Sequence, residues 1–268
     1  MTAKLHPRIQ TILYEYISMV QKELPLQGFY IYGSIALGDY SLELSDIDFI
    51  AVTDQRLNPD GIRHVEQVHR LVERKFPKPN LNGIYVTWED LGKLQEEITP
   101  YPFYCDGKLT AAGYFECNLV TWYELKHTGI TIIGPEASDL AFTVDWGQLI
   151  SLMYANLNTY WQRWIVQSEK HLSLKSAALY FRSSEVEWGV LGITRLFYTF
   201  REHQITSKAR AGEYALLIVP ERWHKILQEA LRVRRGVKKS MYASKSQRRS
   251  DALHYMKYIQ KEANAMFE

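Results

Sequence analysis

The apolar residues of this chain change period once, and the change falls at one place. Before Gly134-Pro135, short strand-like runs alternate with amphipathic helical segments; from Asp145 onward every apolar pattern is helical. A chain with this pattern is restricted to a layered α/β part followed by an all-helical part. In the first part, Ile9, Ile12, Leu13, Tyr16, Ile17 and Val20 form one stripe of a helix over 8–23. Phe29-Tyr30-Ile31-Tyr32 reads as a short buried strand running into Gly33-Ser34, followed by a helical turn over Ile35 to Asp39. Asp46 to Val52 alternates as a second strand. A helix over 60–75 then carries Ile62, Val65, Val68, Leu71 and Val72 inward and stops at Pro77-Lys78-Pro79-Asn80. Gly83 to Thr87 returns as a third strand. Residues 98–118 read as loop, and 119–134 as a short helix followed by an apolar strand. Beyond the boundary, helices are expected over 145–168, 172–203, 209–217 and 220–234, with domains over 1–140 and 141–268.

Composition excludes several classes. At 46% hydrophobic and 23% charged over 268 residues, the chain can build a sizeable core and is not a disordered polymer. A net charge of +2 does not by itself mark a nucleic-acid binder. Cys105 and Cys117 match neither a metal-ligand spacing nor a disulfide framework, which suits a reducing compartment. The N-terminal segment mixes charged and apolar residues, with no secretory leader pattern and no apolar run long enough to span a bilayer. A cytoplasmic, soluble monomer is the expectation.

The chemistry is concentrated between residues 33 and 49. Gly33-Ser34 is followed after three residues by Gly38, and after six more by Ser45-Asp46-Ile47-Asp48. A strand that feeds a glycine-serine turn leaves backbone N–H groups and a hydroxyl at the start of a short helix, where phosphate oxygens are well received. Two aspartates two positions apart on a strand point to the same side, roughly 6–7 Å apart at Cα. Such a pair repels itself unless a cation sits between the carboxylates. Mg²⁺ suits that position, because it binds a few carboxylates together with triphosphate oxygens.

The stretch 33–50 resembles the signature of the DNA polymerase β-like nucleotidyltransferase superfamily. The two-part layout is similar to the streptomycin/spectinomycin adenylyltransferase family, and so is the passage from Tyr123 through Gly134-Pro135. In the helical half, Ile193 to Tyr198 and Ser207 to Tyr214 resemble that family's helix and following turn. The resemblance implies an α+β fold: a polymerase β-like mixed sheet with helices, then an all-helical bundle that completes the ATP and acceptor sites. It further implies transfer of AMP from ATP to a hydroxyl of a small molecule, an aminoglycoside or aminocyclitol antibiotic, with ATP and two Mg²⁺ ions. On this reading Asp46 and Asp48 are the catalytic metal ligands. Gly33, Ser34, Asp46, Asp48, Arg195 and Lys208 hold the nucleotide, and Glu185 meets a cationic acceptor.

Each assignment in the helical half has a plainer alternative. Arg195 sits in an apolar helix and is either paired with an acid or a phosphate ligand. Lys208 follows Thr206-Ser207 at a helix start and is either solvated or aimed at an anion. Glu185 and Glu187 fit a solvated helix face as well as a polyamine pocket. Trp188 and Tyr114 read first as packing aromatics and second as stacking surfaces for a sugar or base.

One departure stands out. The family places a glutamate, the general base, on the third strand, whereas alignment here leaves Asn82 or Gly83 near that position. The nearest following acids are Glu89 and Asp90, with Asp106 and Glu116 further on. Residues 232–249 carry many basic residues and no acid. They read as a solvated linker or helix face, or else as a phosphate-binding surface that keeps an RNA or protein acceptor in play. A nucleotide-binding relative without transferase activity is the third possibility.

Overall fold

In the computed structural model, residues 5–41, 45–170 and 173–268 are described. Contacts divide the chain into two units, Met1–Val144 and Asp145–Glu268. Unit 1 is built on six strands: β1 (Gly28–Tyr32), β2 (Ile47–Thr53), β3 (Leu81–Thr87), β4 (Tyr101–Cys105), β5 (Lys108–Gly113) and β6 (Ile130–Ile133). They lie in the order β5-β4-β3-β2-β1-β6, with β2 and β3 parallel and the other neighbours antiparallel. The sheet is therefore mixed, as expected.

Two helices cover one face of this sheet. α1 (Pro7–Val20) opens with a proline in its first turn, where a missing N–H costs nothing. α3 (Pro59–Lys75) does the same, with Asn58 capping it by accepting the Gly61 N–H at 2.8 Å. Ile9, Ile12, Leu13 and Tyr16 of α1 and Val65, Val68 and Val72 of α3 pack with Phe29, Ile31, Ile47, Phe49, Ala51 and Tyr85 of the strands. Alternation along β2 then sends Asp48 to the opposite face. Phe49 stacks on Phe29 with ring centroids 4.9 Å apart. Its strand neighbour is Gly83, where a Cβ would lie 2.3 Å from the Phe49 ring, so glycine is required there. His69 of α3 is fully buried and stacks 3.6 Å from Tyr104; its Nε2 lies 2.7 Å from the Tyr85 hydroxyl, while its Nδ1 has no partner among the described residues.

The structure corrects the reading of 98–118 as loop. Tyr101–Cys105 and Lys108–Gly113 form a hairpin around Asp106-Gly107, both with positive φ (50° and 76°). This is the backbone that a two-residue hairpin turn demands. α2 (Gly33–Ala36) follows β1 directly, and α4 (Leu119–Thr128), capped by Asn118, precedes β6.

Unit 2 is helical throughout. α5 (Trp146–Asn156) and α6 (Gln162–Glu169) are joined by a π-helical stretch over Leu157–Trp161. The segment expected as one helix over 172–203 is two, α7 (Leu174–Phe181) and α8 (Ser183–Glu202), separated by Arg182 in an extended conformation (φ −103°, ψ 119°). His171 and Leu172 lie outside the described residues. α9 (Lys208–Ile218), α10 (His224–Arg234) and α11 (Lys245–Asn264) complete the unit. Val190, Leu191, Ile193 and Phe197 of α8 share a core with Ile226, Leu227 and Leu231 of α10 and Leu253, Met256 and Ile259 of α11.

The basic stretch 232–249 is divided: Arg232, Arg248 and Arg249 are taken up by partners within the unit, whereas Lys238, Lys239 and Lys245 are exposed. Arg232 donates twice to the buried Glu229, each bond 2.9 Å, and Glu229 also accepts from Ser240 and the Met241 N–H. Burial pushes the Glu229 carboxyl up, but these donors outweigh it and hold it below the ordinary value. Arg248 is 5% exposed and donates to Ser183 and to the Tyr180 carbonyl, and Arg249 donates to the Ser168 carbonyl. Arg235 pairs with Glu213. Arg248 and Arg249 thereby tie α11 to α6, α7 and the start of α8.

Candidate active site

Unit 1 brings the glycine-serine turn and the aspartate strand together. Gly33, at the end of β1, has φ +66°, and a Cβ there would lie 2.7 Å from Asp48 Oδ2. Glycine is thus needed twice, for a left-handed backbone and for room beside a carboxylate. Ser34 follows on α2, its carbonyl accepting the Asp39 N–H at 2.9 Å. Asp46 and Asp48 are half-buried while Ser45, Ile47 and Phe49 are buried, so the two aspartates share a face. Leu42, Glu43 and Leu44, between turn and strand, lie outside the described residues.

The register of β2 on β3 sets Asn82 directly beside Asp48. The Asn82 amide donates to Asp46 Oδ2 at 3.2 Å, and its oxygen accepts the Asp106 N–H at 3.1 Å. The third strand therefore presents a neutral amide, Asn82, to the aspartate pair. Asp90 is committed elsewhere: it binds Arg56 at 2.7 and 2.8 Å and caps its own turn through the Thr87 N–H. Glu116 accepts from Thr121 Oγ1 at 2.8 Å at the start of α4.

Several acids surround Tyr32 and Cys105. Burial, and then the charges of Glu116, Asp48 and Glu124, hold the Tyr32 hydroxyl well above its ordinary value, so it remains a donor. Burial, followed by Asp106, Glu116 and Asp46, pushes the Cys105 thiol up to about 11. Cys105 is consequently a neutral thiol near pH 7 and no nucleophile. Tyr40, whose hydroxyl is buried without a partner among the described residues, also feels Asp46.

In unit 2, Arg195 is half-buried on α8, and no acid pairs with it among the described residues. Lys208 opens α9 behind its cap Ser207, with its ammonium 3.8 Å from Glu187. Arg234, which the sequence did not single out, lies 3.9 Å from the same Glu187 oxygen. Glu185 pairs with Lys175 at 3.6 Å. Trp188 is half-buried and stacks on Trp161 at 4.8 Å; Tyr114 meets Tyr101 edge-on at 6.4 Å.

Comparison with known proteins bears on this arrangement. Residues 170–259 match the family described as aminoglycoside adenylyltransferase, C-terminal domain. The match covers about a third of the chain and lies wholly within unit 2. Among solved structures the chain is similar to the spectinomycin adenyltransferase AAD(9) from Enterococcus faecialis, crystallised with ATP and spectinomycin. That similarity has a TM-score of 0.67 at 15% identity and covers 95% of this chain and 99% of that one. At this identity the likeness shows a shared fold. No curated protein sequence matches the chain.

Among the described residues no three His, Cys, Asp or Glu side chains converge as a ready-made metal cage. A pair of same-face carboxylates nonetheless fits a magnesium ion that draws its remaining ligands from a nucleotide and water. Among the described residues no helix is long and apolar enough to cross a membrane.

Proposed function

We propose that this protein is a nucleotidyltransferase that moves AMP from ATP to a hydroxyl of a cationic small molecule of the streptomycin or spectinomycin type. The observation that carries the reading is the close approach of the Gly33 backbone to the Asp48 carboxylate, which would set a phosphate cradle beside a metal-binding pair. In the reaction the acceptor oxygen attacks the α-phosphorus of ATP. A new P–O bond forms, the bond to the bridging oxygen breaks, pyrophosphate leaves, and the hydroxyl proton goes to a base or to water.

Asp46 and Asp48 would hold Mg²⁺, which supplies positive charge beside the triphosphate when bound. Gly33 and Ser34 offer backbone N–H and hydroxyl donors to phosphate oxygens, and Arg195 and Lys208 add cationic ones. Glu185 gives a carboxylate to a cationic acceptor. Asn82 cannot accept a proton as a glutamate would. General-base help accounts for about 10²–10⁴-fold of a typical rate, so its loss slows transfer and leaves charge stabilisation and positioning in place. That same amide favours a second reading, a relative that binds nucleotide without transferring it.

The test is mass spectrometry of streptomycin, spectinomycin and a short RNA after incubation with ATP and Mg²⁺. An added AMP on an antibiotic, lost in Asp48→Asn while thermal stability is kept, supports transfer. Adenylated RNA alone would replace the acceptor class. Tight ATP binding with no product on any acceptor would leave the second reading.

A further inference from the structure

A corner formed by α6, α7 and α8 surrounds Glu185, the proposed acceptor contact, with groups given no role so far. Trp164 of α6 is 3% exposed, and Trp188 of α8 lies 5.8 Å from it, centroid to centroid. Trp161 stacks behind Trp188. Two glycines of α8 make room for this group of indoles: a Cβ at Gly189 would lie 2.9 Å from Trp164, and one at Gly192 2.5 Å from Trp161. Glu185 stands in the first turn of the same helix. Into this corner Lys175 of α7 places its ammonium, 3.6 Å from Glu185 Oε2, 5.6 Å from the Trp164 ring centroid and 5.8 Å from that of Trp188. Tyr160 meets Trp188 edge-on, and burial followed by the Glu185 charge raises its hydroxyl above the ordinary value.

We infer that this corner is a seat for an organic cation and that Lys175 is its tethered occupant, competing with a cationic acceptor and so tuning which acceptors bind. Two indole faces and one carboxylate around an ammonium form the arrangement that selects alkylammonium and guanidinium groups from water. The present occupant is held loosely. No hydrogen bond joins Lys175 to Glu185, and the two side chains are 40% and 24% exposed. The start of α7 does not depend on the pair, because Ser173 caps it at 3.0 Å. An exposed pair of this kind favours its closed form by about fivefold at most. Displacing it therefore costs an incoming cation a similar factor in apparent affinity. The inference rests on the reading of Glu185 as a contact for a cationic acceptor.

The experiment titrates the full chain with agmatine, which carries one ammonium and one guanidinium, and with streptomycin. Binding is followed by tryptophan emission and calorimetry for wild type, Lys175→Met and Lys175→Arg. Lys175→Met keeps the apolar stem and should bind both cations about two- to fivefold tighter, with ATP affinity unchanged. Lys175→Arg keeps a tethered cation and should not tighten. Equal agmatine affinity in wild type and Lys175→Met, or weaker binding in the variant, overturns the inference whatever streptomycin does. Tighter agmatine with no streptomycin binding in any variant keeps the seat and removes the antibiotic as acceptor.

Discussion

Replacing Asn82 with aspartate tests the metal-binding reading without touching either proposed ligand. The substitution turns a donor 3.2 Å from Asp46 Oδ2 into a third carboxylate. Two unit charges at that separation repel by about 5 kcal/mol at an effective dielectric of about 20, and by about 1 kcal/mol in bulk water. Asn82 is 6% exposed and Asp46 half-buried, which places the cost between these limits, at about 2–4 kcal/mol. For a domain of this size that lowers Tm by roughly 5–12 °C.

The pH dependence of Asn82→Asp carries its own sign. Repulsion raises the folded pKa of the new pair above the unfolded value of about 3.9. Stability is then fully present below about pH 4 and falls as pH rises toward the folded pKa, because a protonated carboxyl can donate as the amide did. Magnesium at millimolar concentration should restore most of the loss near pH 7.5, whereas sodium chloride of equal ionic strength should restore little. Differential scanning fluorimetry across pH, with and without the cation, reads all of this. A variant that melts like wild type at every pH, or that gains no more from Mg²⁺ than from sodium, would refute the placement of a cation between these side chains.

Gly33→Ala forces a side chain into a left-handed backbone 2.7 Å from Asp48 Oδ2; a loss of about 1–3 kcal/mol in urea unfolding and at least tenfold weaker ATP binding are expected, and unchanged values would break the link between turn and carboxylate. Burial lowers the His69 imidazole to about 3, below its ordinary 6.5, so unfolded chains take up a proton that the fold refuses. Stability should therefore drop by about 2 kcal/mol between pH 6.5 and 5, and His69→Phe should flatten that slope; parallel slopes in the two proteins would contradict it. Arg195→Ala should weaken ATP binding about tenfold in calorimetry, the scale of one charge-assisted contact, and an unchanged Kd would remove Arg195 from the proposed site.

What was legible in the sequence was what a short period can fix. Asp46, just before β2, and Asp48 within it share a face because extended chain alternates, and the turn before them is marked by a glycine that needs positive φ. The β4–β5 hairpin went unread although Asp106-Gly107 announces a tight turn. Its outer strand, Lys108–Gly113, is largely exposed and carries no apolar alternation to support the signal. The choice between Asn82 and Gly83 needed the hydrogen-bonded register of β2 on β3, because a slip of one residue exchanges the faces of a strand. Arginines at 232–249 read as a charge run because the acids that take them up come from elsewhere: Glu229 for Arg232, Glu187 for Arg234 and Glu213 for Arg235.

The meeting of Lys175 with Glu185 was the least accessible, for a geometric reason. On one continuous helix over 172–203, residues ten apart stand about 15 Å apart along the axis and cannot touch. The extended Arg182 breaks that helix, and the turn it creates brings the Lys175 ammonium within 3.6 Å of Glu185. No helical period records such a break, since Leu179 before it and Val186 after it are both buried in one core. The cation seat is thus a product of this break, and a substitution that restored helix through Arg182 would abolish it while leaving every residue of the seat in the sequence.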